Sequence, residues 1–218
     1  MHSNVRKLLA GTPTKVLVLS LSSLPFLYLC LRTYRGELTA NPVEFYQHQT
    51  GDWTLRFLIF TLCITPFRKL FDLPELIRFR RMLGLTAFFY VCLHFLTYLG
   101  PDQSFHVAGM FKDVAKRPFI TVGFAAFVLL IPLALTSSAS SIRRLGGKRW
   151  QALHRSIYVC AILGVIHYYW LVKSDIRKPV LYGVLVGALL TWRLIARLRK
   201  RSAPVVAPVD ARQQPDSA

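Results

Sequence analysis

Three histidines sit inside apolar runs of this chain, and theirs are the side chains able to do chemistry there. His154 and His167 share the segment Trp150–Trp170, WQALHRSIYVCAILGVIHYYW, while His94 lies about two-thirds along MLGLTAFFYVCLHFLTYL. A neutral imidazole offers one lone-pair nitrogen and one N–H, so it can relay a proton, hydrogen-bond to a neighbour or ligate a metal. Left without a partner in apolar surroundings it is costly. A single such histidine reads most simply as bonded to a neighbouring helix. Two at one depth, with a third on the same helix, read as cofactor ligands.

The elements that must position them are membrane spans. Of the 218 residues, 53% are hydrophobic and 17% charged, and apolar stretches repeatedly reach spanning length, a pattern foreign to a soluble domain of this size. The formal charge of +18 does not mark a nucleic-acid partner, because the basic residues punctuate the ends of apolar runs instead of lining one face with stacking aromatics. Six spans are expected, at about Val16–Leu31, Trp53–Phe71, Met82–Leu99, Phe119–Leu135, Trp150–Trp170 and Val180–Ile195. The fold class is therefore an all-α integral membrane bundle of six transmembrane helices. Residues 1–15 form an N-terminal segment, 16–198 the six-helix domain, and 199–218 a Pro/Ala/Gln-rich tail expected to be disordered.

Pro25 interrupts the first span and requires a neighbour to satisfy the carbonyl it frees. Glu44 and His48 fall in the polar loop before the second span, and His106 falls in the loop Gly100–Pro118, both histidines read as solvated. The fourth span is purely apolar and carries no candidate ligand. Basic residues gather at Arg78, Arg80 and Arg81, at Arg143 to Arg149, and at Arg197 to Arg201, so the positive-inside rule places both termini in the cytoplasm.

Depth follows from helix rise. At about 1.5 Å per residue, the tryptophans of Trp150–Trp170 lie roughly 30 Å apart and its two histidines about 20 Å apart. His94 lies some 18 Å above the cytoplasmic start of its span, which brings it level with His167 near the outer face. Two neutral imidazoles on adjacent helices, one on either side of a flat macrocycle, is the arrangement that ligates b-type haem iron axially, with Gly164 leaving room for the ring.

His154 lies near the inner face, and the position at its depth on the third span is Arg80. Arginine stays protonated and offers no lone pair to iron, but it binds a carboxylate or phosphate bidentately. Four uses of the cluster of His154, Arg155, Arg78, Arg80 and Arg81 stay open: a second haem ligated by His154, haem-propionate binding, a flavin-phosphate site, or ordinary headgroup-facing basic residues. For the whole chain, a stand-alone quinol-linked metal reductase and a histidine-relay proton-coupled transporter are the alternatives to an electron-transfer subunit.

The run R80-R81-M-L-G-L-T-A-F-F-Y-V-C-L-H94, with W150-Q-A-L-H154-R-S-I-Y and L163-G-V-I-H167-Y-Y-W, closely resembles the MsrQ (YedZ) family over nearly the whole chain. That family supplies the haem-binding membrane subunit of the bacterial protein-methionine-sulfoxide reductase. Its wider relatives are the transmembrane cores of ferric reductases and NADPH oxidases. The resemblance implies a multi-pass protein of the bacterial inner membrane with a ferric reductase-like bundle. It also implies an outward-facing haem b at His94 and His167, and an FMN cofactor. The implied electron donor is the quinone pool or a cytosolic flavin reductase, and the partner a periplasmic molybdopterin-containing catalytic subunit that reduces methionine sulfoxide in oxidised envelope proteins.

Overall fold

The computed structural model describes residues 2–37 and 39–202, and every regular element in them is helical. In chain order these are α1 (His2–Ala10), α2 (Thr12–Tyr34), α3 (Pro42–Leu70), α4 (Ile77–Thr97), α5 (Val107–Lys116), α6 (Pro118–Leu135), α7 (Ala139–Leu145), α8 (Gly147–His154), α9 (Ile157–Leu171) and α10 (Arg177–Ser202). A short 3-10 turn, Pro74–Leu76, leads into α4, and a π turn, Tyr98–Asp102, prolongs it. Of the tail expected to be disordered, residues 203–218 lie outside the described residues.

Local chemistry sets the helix starts. Asn41 caps α3 by accepting the Glu44 N–H at 3.3 Å, with Pro42 in the first turn, where its missing N–H costs nothing. Ser138 caps α7 in the same way through Ser141 N–H at 3.1 Å. Gly146, at φ +74°, makes the turn between α7 and α8 that a residue with a Cβ would make only under strain.

Among the described residues, four stretches are long and apolar enough to cross a membrane: Thr12–Tyr34, Pro74–Asp102, Pro118–Leu135 and Arg177–Arg199. The second and fifth expected spans correspond to α3 and α9, which fall short on composition and length. The apolar stretch of α3 is diluted by Asp52, Arg56, Arg68 and Lys69, and α9 has 15 residues. Both nevertheless occupy the centre of the bundle. α3 packs along α4, α6 along α9, and α10 closes against α9 and α3 around a core that includes Leu58, Leu62, Ala87, Tyr90, Cys160 and Ala161. Large apolar side chains such as Leu17, Leu21 and Leu24 on α2 and Val184 on α10 face outward, as suits a hydrocarbon surround.

Tyr90 bridges the rung of α2 next to the one that Pro25 removes, that of the Leu21 carbonyl. Its hydroxyl donates to Ser22 O at 2.9 Å and accepts from Phe26 N–H at 3.0 Å, inserting itself between two groups one helical turn apart on α2.

Three expectations need correction. Trp150–Trp170 is two helices, because the chain turns at Arg155–Ser156 and Ser156 Oγ takes the Leu153 carbonyl at 2.7 Å. Glu44 and His48 belong to the first turns of α3, which begins at Pro42 well before the apolar stretch. The loop Gly100–Pro118 contains α5, whose apolar stripe of Val107, Met110, Phe111 and Val114 has helical spacing and buries Met110.

Candidate functional site

The structure brings His94 of α4 and His167 of α9 together, their ring centroids 6.1 Å apart and their planes at 78°. Metal–imidazole nitrogen bonds of about 2 Å, with about 1 Å more from nitrogen to ring centre, put the centroids of two trans ligands about 6 Å apart. Both ring planes of such a pair contain the shared axis, so their mutual angle is free.

Hydrogen bonds decide which nitrogen of each ring is available. Nδ1 of His94 lies 3.0 Å from Gln47 O, and Nδ1 of His167 lies 2.7 Å from Phe119 O. A carbonyl only accepts, so each Nδ1 carries the proton and each Nε2 keeps its lone pair. This is how protein carbonyls orient metal-ligating histidines. The Thr50 hydroxyl donates to Tyr46 O at 2.6 Å, so at 3.4 Å from His94 Nδ1 it too acts only as an acceptor.

Two glycines make room for these rings. A Cβ at Gly123 of α6 would come within 2.6 Å of His167 Nδ1, and one at Gly51 of α3 within 3.2 Å of His94 Cε1. α6, which offers no ligand of its own, thus supplies both the carbonyl that orients His167 and the gap the ring occupies.

The two histidines line a cavity of about 350 Å³ with Leu55, Leu58, Phe95, Phe127 and Gly164 among its walls. That volume is typical of cofactor sites, roughly 300–1,000 Å³. The free Nε2 atoms, the ring spacing and the apolar walls together fit a flat metallo-macrocycle held by two axial imidazoles.

His154 and Arg80 lie elsewhere, in a second cavity of about 300 Å³ that Arg81, Trp150 and Phe88 also line. Trp150 stacks on His154 at 3.9 Å between centroids and donates its indole N–H to Thr136 O at 2.9 Å. The Thr136 hydroxyl gives its proton to Pro132 O at 2.6 Å, so at 3.0 Å it accepts from His154 Nε2. His154 therefore holds the tautomer opposite to that of His94 and His167, with Nε2 engaged. Leu130 lines both cavities and is the wall they share.

Several charged groups inside the bundle escape a reading by histidine alone. Asp52, buried on α3, takes Arg56 at 3.4 Å and Lys178 at 3.3 Å, which ties the start of α10 to α3. Arg193, buried on α10, donates to Leu62 O at 2.5 Å and sits over the Tyr158 ring at 5.1 Å. Intramembrane charges of this kind were the available signal, since a charge in an apolar run needs a partner.

Residues 50–165 match the family model described as the ferric reductase like transmembrane component. The chain is 57% identical over 181 residues to the protein-methionine-sulfoxide reductase heme-binding subunit MsrQ of Herminiimonas arsenicoxydans, covering 82% of this chain and 83% of that one. It is 49% identical over 203 residues to the subunit of the same name from Azospira oryzae, covering 89% and 87%. The corresponding subunit of Rhodospirillum rubrum is 48% identical over 178 residues, covering 82% and 86%. No solved structure matches the chain. A helical bundle with two paired histidines at its centre, matched by the ferric reductase-like model and by relatives about half identical across most of their length, belongs to the MsrQ family of haem-binding subunits.

Proposed function

We propose that this chain is the b-type haem membrane subunit that carries electrons to a methionine sulfoxide reductase. The observation that carries the reading is the 6.1 Å spacing of His94 and His167, each with Nδ1 tied to a carbonyl. Haem bound there supplies one-electron redox chemistry. The chain's own contribution is to keep two Nε2 lone pairs free on rings that line one cavity, to exclude water with apolar walls, and to set the electrostatics around them.

The topology that accompanies this reading is six membrane helices, α2, α3, α4, α6, α8–α9 and α10, within residues 16–198, both termini facing the cytoplasm of a bacterial inner membrane. The central packing of α3 and α9 supports counting them among the spans, and the basic residues beside the second cavity support the orientation. The first cavity then faces the periplasm, where the acceptor is a molybdopterin-containing catalytic subunit repairing oxidised envelope proteins. Electrons come from the quinone pool or a cytosolic flavin reductase.

The second cavity is the place for FMN or a second acidic cofactor. Its pair of arginines suits a phosphate, and the stacked Trp150 and His154 offer an aromatic border. With Nε2 of His154 bonded to Thr136, this arrangement favours a flavin or another anion over a second axially ligated haem.

A reduced-minus-oxidised spectrum of the purified protein, with haem and flavin counted per chain, tests the reading. A b-type spectrum that disappears in His94→Ala and in His167→Ala is expected, and a spectrum unchanged in both would overturn it. Dithionite-reduced protein is also expected to reoxidise faster when its catalytic subunit and methionine sulfoxide are added together.

A further inference from the structure

We infer that Arg117, clamped by Asp113, is the carboxylate-binding residue at the mouth of the first cavity, and that the group it takes is an acidic arm of the haem between His94 and His167. This rests on the bis-histidine reading above. A macrocycle bearing carboxylates cannot bury them against Leu55, Leu58, Phe95 and Phe127 without a large desolvation cost, so they must leave by a polar edge. Glu44, His48, Asp102 and Arg117 line such an edge.

Among the described residues lining the cavity, Arg117 is the single arginine or lysine. The neighbouring acids make an unassisted carboxylate unwelcome there. Asp52 is already met by Arg56 and Lys178, Glu44 has the neutral Asn41 amide at 3.0 Å and His48 at 3.8 Å, and Asp102 adds a further negative charge.

Arg117 is positioned for the task. Its Nε lies 2.8 Å from Asp113 Oδ1, while Asp113 Oδ2 accepts the Tyr98 hydroxyl at 3.0 Å, so the carboxylate is fixed through both oxygens. The Asp113 side chain is only 15% exposed, unlike that of an ordinary surface i,i+4 pair. This arrangement uses one edge of the guanidinium and leaves both Nη groups without a hydrogen bond among the described residues, free for bidentate contact. Arg117 also caps α6 two residues before Phe119, whose carbonyl orients His167, so the charge and the axial ligand are set by one helical turn.

The test uses the full-length protein in detergent, stripped of haem and reconstituted either with haem b or with its dimethyl ester, which lacks the two charges. Release to an excess of a haem-scavenging globin is measured, together with the midpoint potential. With haem b, Arg117→Gln is expected to release haem about tenfold faster than wild type while keeping the low-spin spectrum. Arg117→Lys should recover part of that difference, and Asp113→Asn should fall between Arg117→Gln and wild type. With the ester, wild type and Arg117→Gln should release at the same rate.

A rate difference that persists with the ester would show Arg117 acting on the fold and would overturn the inference. So would equal rates with haem b, including the case in which only electron delivery to a soluble protein acceptor falls. A wild-type chain that binds no haem would instead fail the bis-histidine reading, before any variant is compared.

Discussion

The carbonyl oxygen of Phe119 lies 2.7 Å from Nδ1 of His167, and that one bond holds the proton on Nδ1 and leaves Nε2 of the ring with its lone pair. His94 meets Gln47 in the same way, so α3 and α6, which carry no ligand, determine the chemistry of α4 and α9. The residues that carry a free nitrogen are thus distinct from the residues that aim them.

Removing the methyl-sized gap at residue 123 should uncouple the two. Gly123→Ala places a Cβ within 2.6 Å of His167 Nδ1, closer than real Cβ contacts come, so the ring must swing off its axis. Haem content is expected to fall by most of its wild-type value while the far-ultraviolet circular dichroism stays helical. Gly51→Ala, with 3.2 Å to His94 Cε1, should lose less. Full occupancy in Gly123→Ala would refute the steric account.

The second cavity should be separable from the first. Arg80→Ala is expected to weaken flavin or anion retention, read as flavin per chain after gel filtration, and to leave the b-type spectrum in place. Parallel loss of haem and flavin would contradict the assignment of the two cavities to two ligands.

His154→Ala removes the ring stacked on Trp150 and the donor to Thr136, but touches nothing around His167. Its reduced spectrum should match that of wild type in position, with flavin content lowered. Loss of half the haem would point to an iron at His154.

Tyr90→Phe tests the repair of α2. Without the hydroxyl, Phe26 N–H and Ser22 O lose a partner in the bundle interior, at a cost of about 1–3 kcal/mol. The thermal midpoint in detergent should drop, with the haem spectrum unchanged below it. An unshifted midpoint would mean that the helix recloses its own ladder.

The pairing of His94 with His167 was legible because depth along a helix can be counted from a sequence, and a histidine stands out in an apolar run. What aims them was not. A backbone carbonyl such as that of Phe119 or Gln47 has no residue signature, and Gly123 lies in a run whose composition says only that it is apolar. The break after His154 was hidden too, since Arg155 and Ser156 have unremarkable helix propensities and it is the Ser156 side chain, bonded to Leu153 O, that competes with the regular ladder. Arg117 carries no sequence signature either, because it is the fold, with α5 ending just before it, that sets this loop arginine in the cavity's lining beside Asp113. Asp52 and Arg56, which blunt the apolar character of α3, mark it as an interior helix, a distinction that hydropathy alone registers only as a weaker span.

Leu130 gives the bundle a property that neither cavity has alone. The side chain that bounds one chamber also bounds the other, so a single aliphatic residue touches both. A hydrocarbon side chain at that point offers a proton or metal ion no polar partner, so the passage of an ion there is costly.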